Sequence, residues 1–167
     1  MIKFETKITG ALKDDRWKNI IYHELKVTMD LATDLVAGKV ADIARRKGLK
    51  GVTGQLIGGI KGRTITPVYG RVGVEGPAAV YGEVMEKGRR PGSKMPPPEA
   101  LERWVYLKLN IPKEEAPGVS FTIARSIHRK GIKGRQYMAI GERASKEQVV
   151  RLFDRTNRKI EKMIGDA

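Results

Sequence analysis

From Asp14 to Lys47 the chain carries one long apolar stripe with no proline, and this stretch limits the fold more than any other. Trp17, Ile21, Leu25, Ala32, Leu35, Val36, Val40 and Ile43 recur at the three- and four-residue spacing of one helix face. Asp14 and Asp15 suit the positive end of such a helix. Arg45, Arg46 and Lys47 suit its negative end, and Gly48 is a natural stop. Gly38 weakens it by about 1 kcal/mol relative to alanine. At 1.5 Å per residue the helix spans roughly 50 Å, so part of it must pack on another element or another subunit.

The rest of the chain must supply that packing. From Thr53 to Glu86 glycines separate short β-prone runs, Gln55–Ile60, Arg63–Tyr69, Arg71–Val74 and Val80–Met85. These predict antiparallel strands joined by tight turns. Pro67 places its strand at an edge or at a bulge. Residues 87–98 follow as a basic, proline-rich loop. A helix is predicted over 98–109, with a proline and Glu99 in its first turn. Another is predicted over 119–130, closed by Gly131, followed by a β-prone run Gln136–Ile140. The last helix covers 146–164 and opens on Ser145-Lys146-Glu147-Gln148, which has the form of a capping box. The expectation is a single α+β domain, with the long N-terminal helix packed on a small antiparallel β-sheet and further helices in the C-terminal half. Leu101, Trp104, Trp17 and Phe153 are the expected core anchors.

Composition narrows the chemistry. Hydrophobic residues make up 40% of 167, enough for one globular core. With no cysteine, thiolate metal sites, disulfides and cysteine nucleophiles are excluded. Neither His23 nor His128 has a second ligand at metal spacing, and no Gly-x-Ser-x-Gly elbow occurs. Gly70–Gly76 has neither dinucleotide spacing nor a Lys-Ser/Thr ending. Glu75, Glu83 and Glu86, in the strand region, are candidates for a carboxylate pair, and solvated strand carboxylates are the commoner reading. The expectation is therefore no enzyme, no metal and no cofactor. Met1–Glu5 has no apolar signal core, and no stretch of eighteen apolar residues exists, so no membrane is expected.

Lys and Arg total 33 against 19 Asp and Glu, a net charge of +14. That excess attracts polyanions and makes non-specific contact with DNA an open expectation. Lys87, Arg89, Arg90 and Lys94 concentrate it in one loop, predicted to be mobile, which is the candidate interface or DNA-facing segment. Aromatics are only 6%, which disfavours a base-stacking platform.

The order of segments carries a resemblance. The long helix leads to Thr53-Gly54-Gln55-Leu56, then to Ala79-Val80-Tyr81-Gly82-Glu83-Val84-Met85-Glu86-Lys87-Gly88. Met95-Pro96-Pro97-Pro98-Glu99-Ala100-Leu101-Glu102-Arg103-Trp104 and Ala124-Arg125-Ser126-Ile127-His128-Arg129-Lys130-Gly131 follow. This series, over about residues 14 to 140, resembles the minor tail-component family of tailed phages and prophages. Gly82 stands where that family commonly has alanine. The resemblance implies a structural protein of tail completion or head–tail joining, made in the host cytoplasm and located in the virion. Its implied partners are copies of itself in a ring or other homo-oligomer, and phage tail or head-connector proteins. The alternative reading is a nucleic-acid-binding module that uses its basic surface.

Overall fold

A computed structural model of the chain describes residues 1–5, 15–49 and 54–165. Asp14 and Thr53 lie outside the described residues. In chain order the elements are β1 (Ile2–Glu5), α1 (Asp15–Arg46), α2 (Gln55–Gly59), β2 (Ile60–Thr66) and β3 (Tyr69–Val74). A 3₁₀ turn (Gly76–Ala78) leads into α3 (Ala79–Lys87) and β4 (Gly88–Arg89). Then come α4 (Glu99–Leu109), α5 (Ala116–Lys130), β5 (Ile132–Lys133) and α6 (Tyr137–Gly165). The architecture is α+β, with the long helix α1 on a three-stranded antiparallel sheet of order β1-β3-β2.

The apolar stripe of α1 does what its spacing requires. Ile21, Leu25, Met29, Ala32, Val36, Val40 and Ala44 are all buried. Two glycines let the sheet lie directly on this helix. A Cβ at Gly62 would fall 2.6 Å from the Thr33 carbonyl oxygen, and one at Gly70 would fall 2.6 Å from Thr33 Cγ2 and 2.8 Å from Met29 Sδ. Ile2, Val72 and Ile60 close the same layer from the three strands. The long helix α6 covers the other side of α1 and runs antiparallel to it. Glu24 takes the ammonium of Lys159 at 2.7 Å. Thr28 and Thr156 share a hydroxyl hydrogen bond of 2.6 Å. At the far end of the seam, Gly141 faces Val40.

Several expectations need correction. Gln55–Gly59 is a single helical turn after the left-handed Gly54 (φ 65°), not a strand, and it buries only Leu56. Val80–Met85 is helical, within α3. Only Gly82 of α3 is buried, while Val80 is 78% exposed, so β-forming side chains are overridden by packing. Strand β1 was not anticipated, because four residues are too short to display an alternation. Its register with β3 (Ile2↔Val72, Phe4↔Gly70) completes the buried face. Pro67 sits in the β2–β3 turn, and β2 is an edge strand whose register shifts between Thr64 and Thr66, as the proline's missing donor favours.

The C-terminal helix begins at Tyr137 rather than near Ser145, and the run Gln136–Ile140 opens it instead of forming a strand. Ser145 is no cap. It is fully buried inside α6, and its hydroxyl donates to the Gly141 carbonyl at 2.8 Å. The cap comes from α3, where the Glu86 carboxylate accepts the Met138 and Ala139 amides at 2.8 and 3.1 Å. A negative charge on the first turn's free amides is the favourable arrangement. Helix α5 starts at Ala116, with Pro117 in its first turn, where a missing donor costs nothing.

Of the four expected core anchors, Phe153 packs against the core. Trp17 is half-buried, near the start of α1. Leu101 is half-buried in α4, and Trp104 is 39% exposed; the residue α4 buries completely is Val105. The reason is angular. Val105 faces α5, and Trp104, one residue earlier, is turned about 100° away.

Candidate functional site

Helices α4 and α5 form a hairpin whose main packing partner is itself. The seam is built from Val105 on α4 and Ala116, Ser120 and Ala124 on α5, three small side chains at four-residue spacing. This hairpin is a limb joined to the rest of the molecule through a neck. There β4 pairs antiparallel with β5, Gly88 opposite Lys133 and Arg89 opposite Ile132. Two backbone hydrogen bonds extend the join to α3, from Arg135 N to the Met85 carbonyl (2.7 Å) and from Gln136 N to the Glu86 carbonyl (3.1 Å).

In the neck, hydrogen bonds tie the basic loop to the end of α5. Gly92 N donates to the His128 carbonyl at 2.7 Å, and Ser93 N to the Arg90 carbonyl at 3.3 Å. His128 Nδ1 lies 2.6 Å from the Ser93 carbonyl oxygen. A carbonyl can only accept, so this nitrogen carries the proton. The Arg89 guanidinium donates to the Lys94 carbonyl within the same loop.

The structure thereby brings two basic segments together. Lys87, Arg89, Arg90 and Lys94 are the residues anticipated from sequence. Arg129, Lys130, Lys133 and Arg135 come beside them through the β4–β5 pairing. Neither residues 87–98 nor residues 128–136 include an aspartate or glutamate. All of these cations except Arg89 are exposed. Lys87 pairs with Glu83 at 2.8 Å, and no other of the eight makes an ion pair among the described residues. The second segment was missed because its cations are interrupted by Gly131, Ile132 and Gly134. Its signal was the absence of any acid from Ala116 to Ile140.

The limb beyond the neck exposes large apolar side chains among its charged ones. Trp104 (39%), Leu107 (44%), Tyr106 (42%), Leu109 (42%) and Phe121 (49%) are all exposed. Ala100, Trp104 and Leu107 follow the spacing of one helix face, directed away from α5. Beside it lies a shallow cleft bordered by Glu102, Tyr106, Lys113 and Ala116. Lys113 Nζ stands 5.4 Å from the Tyr106 ring centroid, a cation–π geometry.

A second basic surface lies on the outer face of the sheet. Lys3, Arg71 and Arg63 are register partners in one cross-strand row. Glu75 partly neutralises it, holding the Arg63 guanidinium through two hydrogen bonds of 2.6 Å.

The three candidate carboxylates are dispersed among unrelated tasks. The hydrogen bond from Arg63 holds the Glu75 carboxyl below its usual value, and that from Lys87 does the same for Glu83. Glu86 caps α6. Among the described residues, no group of histidines and carboxylates is arranged to hold a metal ion. Among them, too, no helix is long and apolar enough to cross a membrane. Comparison of the chain with family models, curated proteins and solved structures gives no match.

Proposed function

We propose that this chain is a non-catalytic structural subunit of a tailed-phage or prophage particle. It acts in tail completion or head–tail joining, within a multimer of its own copies and in contact with tail or connector proteins. The observation that carries the multimeric role is the limb. Its own seam is closed by Val105, Ser120 and Ala124, yet Trp104, Leu107 and Phe121 remain on the outside. Trp104 and Leu107 share one face of α4, and large apolar side chains left exposed on one helix face are the kind a partner covers. The ordered segments from Thr53 to Gly131 supply the kind of particle, through their resemblance to the minor tail-component family.

The test is assembly. The double variant Trp104→Ser/Leu107→Ser removes two exposed side chains, so its melting temperature should match the parent's closely. Light scattering across concentration, with and without lysate from a host making the other tail proteins, should show the parent entering a larger species and the variant failing to do so. Purified particles should contain the parent chain at a constant copy number. Particles that lack the chain, or normal incorporation of the variant, would remove this reading.

A further inference from the structure

We infer that the neck is a preformed docking site for the phosphate backbone of duplex DNA. Seven cations without an acidic partner among the described residues meet there from two segments far apart in sequence. Holding like charges together is unfavourable unless a polyanion neutralises them, and duplex DNA carries one charge per about 1.7 Å of axis.

Three features select this ligand. First, the loop is already ordered by hydrogen bonds between Arg90, Gly92, Ser93 and His128, so binding costs little ordering of the backbone. Second, the two basic segments contain no phenylalanine, tyrosine or tryptophan, which disfavours base stacking and leaves backbone recognition independent of sequence. Third, protein–protein interfaces are depleted of charge at their centres, whereas the two neck segments carry eight cations and no acid, so an acidic protein face is the poorer fit. The sheet row Lys3–Arg71–Arg63 competes for the same ligand. It is weaker because Glu75 occupies Arg63. The limb is a separate surface, and the neck site stands whether or not the limb assembles.

The experiment uses the full chain and a fluorescent duplex of arbitrary sequence, with binding followed by anisotropy from about 50 to 200 mM salt. The neck variant is Arg90→Glu/Lys94→Glu/Arg129→Glu/Lys133→Glu. All four side chains are exposed, and none of them makes the hydrogen bonds that hold the loop. Arg89 is spared because its guanidinium supports the loop. The parent should bind with an affinity that falls steeply as salt rises. In the neck variant the slope of log K against log salt should shrink by about 3 to 4, at ~0.9 for each phosphate no longer neutralised, and affinity at low salt should fall by about 100-fold or more. The sheet variant Lys3→Gln/Arg71→Gln should stay within about threefold of the parent, because those two cations lie outside the neck.

An unchanged slope in the neck variant overturns the inference, and so does an equal loss in the sheet variant. A parent that ignores duplex DNA but binds polyglutamate overturns it in favour of an acidic protein partner. Circular dichroism of each variant separates lost binding from lost fold, and the mass measured by light scattering reports on the limb independently.

Discussion

Replacing Gly141 with alanine places a methyl group at a close approach of α1 and α6. The new Cβ would lie 2.5 Å from Val40 Cγ2, 2.9 Å from Val40 Cα and 3.2 Å from Val40 Cβ. Val40 is completely buried, and a valine in a helix has essentially one χ1 rotamer, so Cγ2 has nowhere to turn. The clash with Val40 Cα involves backbone and can be relieved only by moving one helix away from the other. Overpacking of this kind costs about 1–3 kcal/mol. Against it stands the helix propensity of alanine over glycine, about 1 kcal/mol.

Two contacts under 3.0 Å, one of them to backbone, put the overpacking at about 2–3 kcal/mol, so the net expectation is a loss of about 1–2 kcal/mol, or roughly 2–8 °C in melting temperature for a chain of this size. Gly38 supplies the control. It is also inside a helix, but it is exposed and a Cβ there meets nothing within 4 Å. Gly38→Ala should therefore raise stability by up to about 1 kcal/mol. Urea titration followed by circular dichroism measures both. If Gly141→Ala were as stable as the parent while Gly38→Ala gained, α6 would not be seated against Val40, and the packing of the two long helices would be refuted.

Two further outcomes follow from single buried groups. Tyr137 is 1% exposed and donates its hydroxyl to the Gly82 carbonyl at 3.1 Å. Burial, then the charges of Glu86 and Tyr81, push its phenol from 10.0 up to about 12. Its neutral form is favoured in the folded state, so this contribution is complete below about pH 10 and is lost between about pH 10 and 12. At 1.36 kcal/mol per unit, the stability gap between parent and Tyr137→Phe should narrow by about 2–3 kcal/mol between about pH 9 and pH 12, and a constant gap in urea titrations would contradict the assignment. In the limb, the fully buried Ser120 hydroxyl has no hydrogen-bond partner among the described residues. Ser120→Ala should strengthen amide-exchange protection in α5 by about 0.5–1.5 kcal/mol, because a desolvated hydroxyl is removed and a better helix former added. Weaker protection in that variant would show that the hydroxyl is bonded.

Helices α1, α4 and α5 were legible from sequence because helix periodicity and its proline and glycine punctuation are local. Each signal lies within the residues that form the element. The antiparallel pair β2–β3 was legible in part: Pro67 marks the irregular edge, but the spacing put the turn at Gly70, whereas it falls at Pro67 and Val68 and Gly70 is buried within β3. Local pattern failed where two structures satisfy it equally. Val80–Met85 reads as a strand by composition, and it is helical where Gly82 packs against Val74, Leu56 and Tyr137. It failed again where the deciding atom is remote. Ser145 looks like a helix start, yet α6 begins at Tyr137 because Glu86 caps it from another helix.

The basic loop shows the same division. Its charge was evident in Lys87, Arg89, Arg90 and Lys94, but its contacts with His128 and its juxtaposition with a second half, Arg129 to Arg135, come from β4–β5 pairing and the loop's hydrogen bonds to the end of α5. Trp104 is a natural core candidate by size and apolarity alone. Its direction was decided by which face of α4 meets the small residues of α5. Sequence alone determined the long helix, the basic charge and the α+β class, since these rest on spacing and composition. Tertiary structure decided which charges meet and which apolar side chains stay outside, since both depend on the packing of residues far apart along the chain.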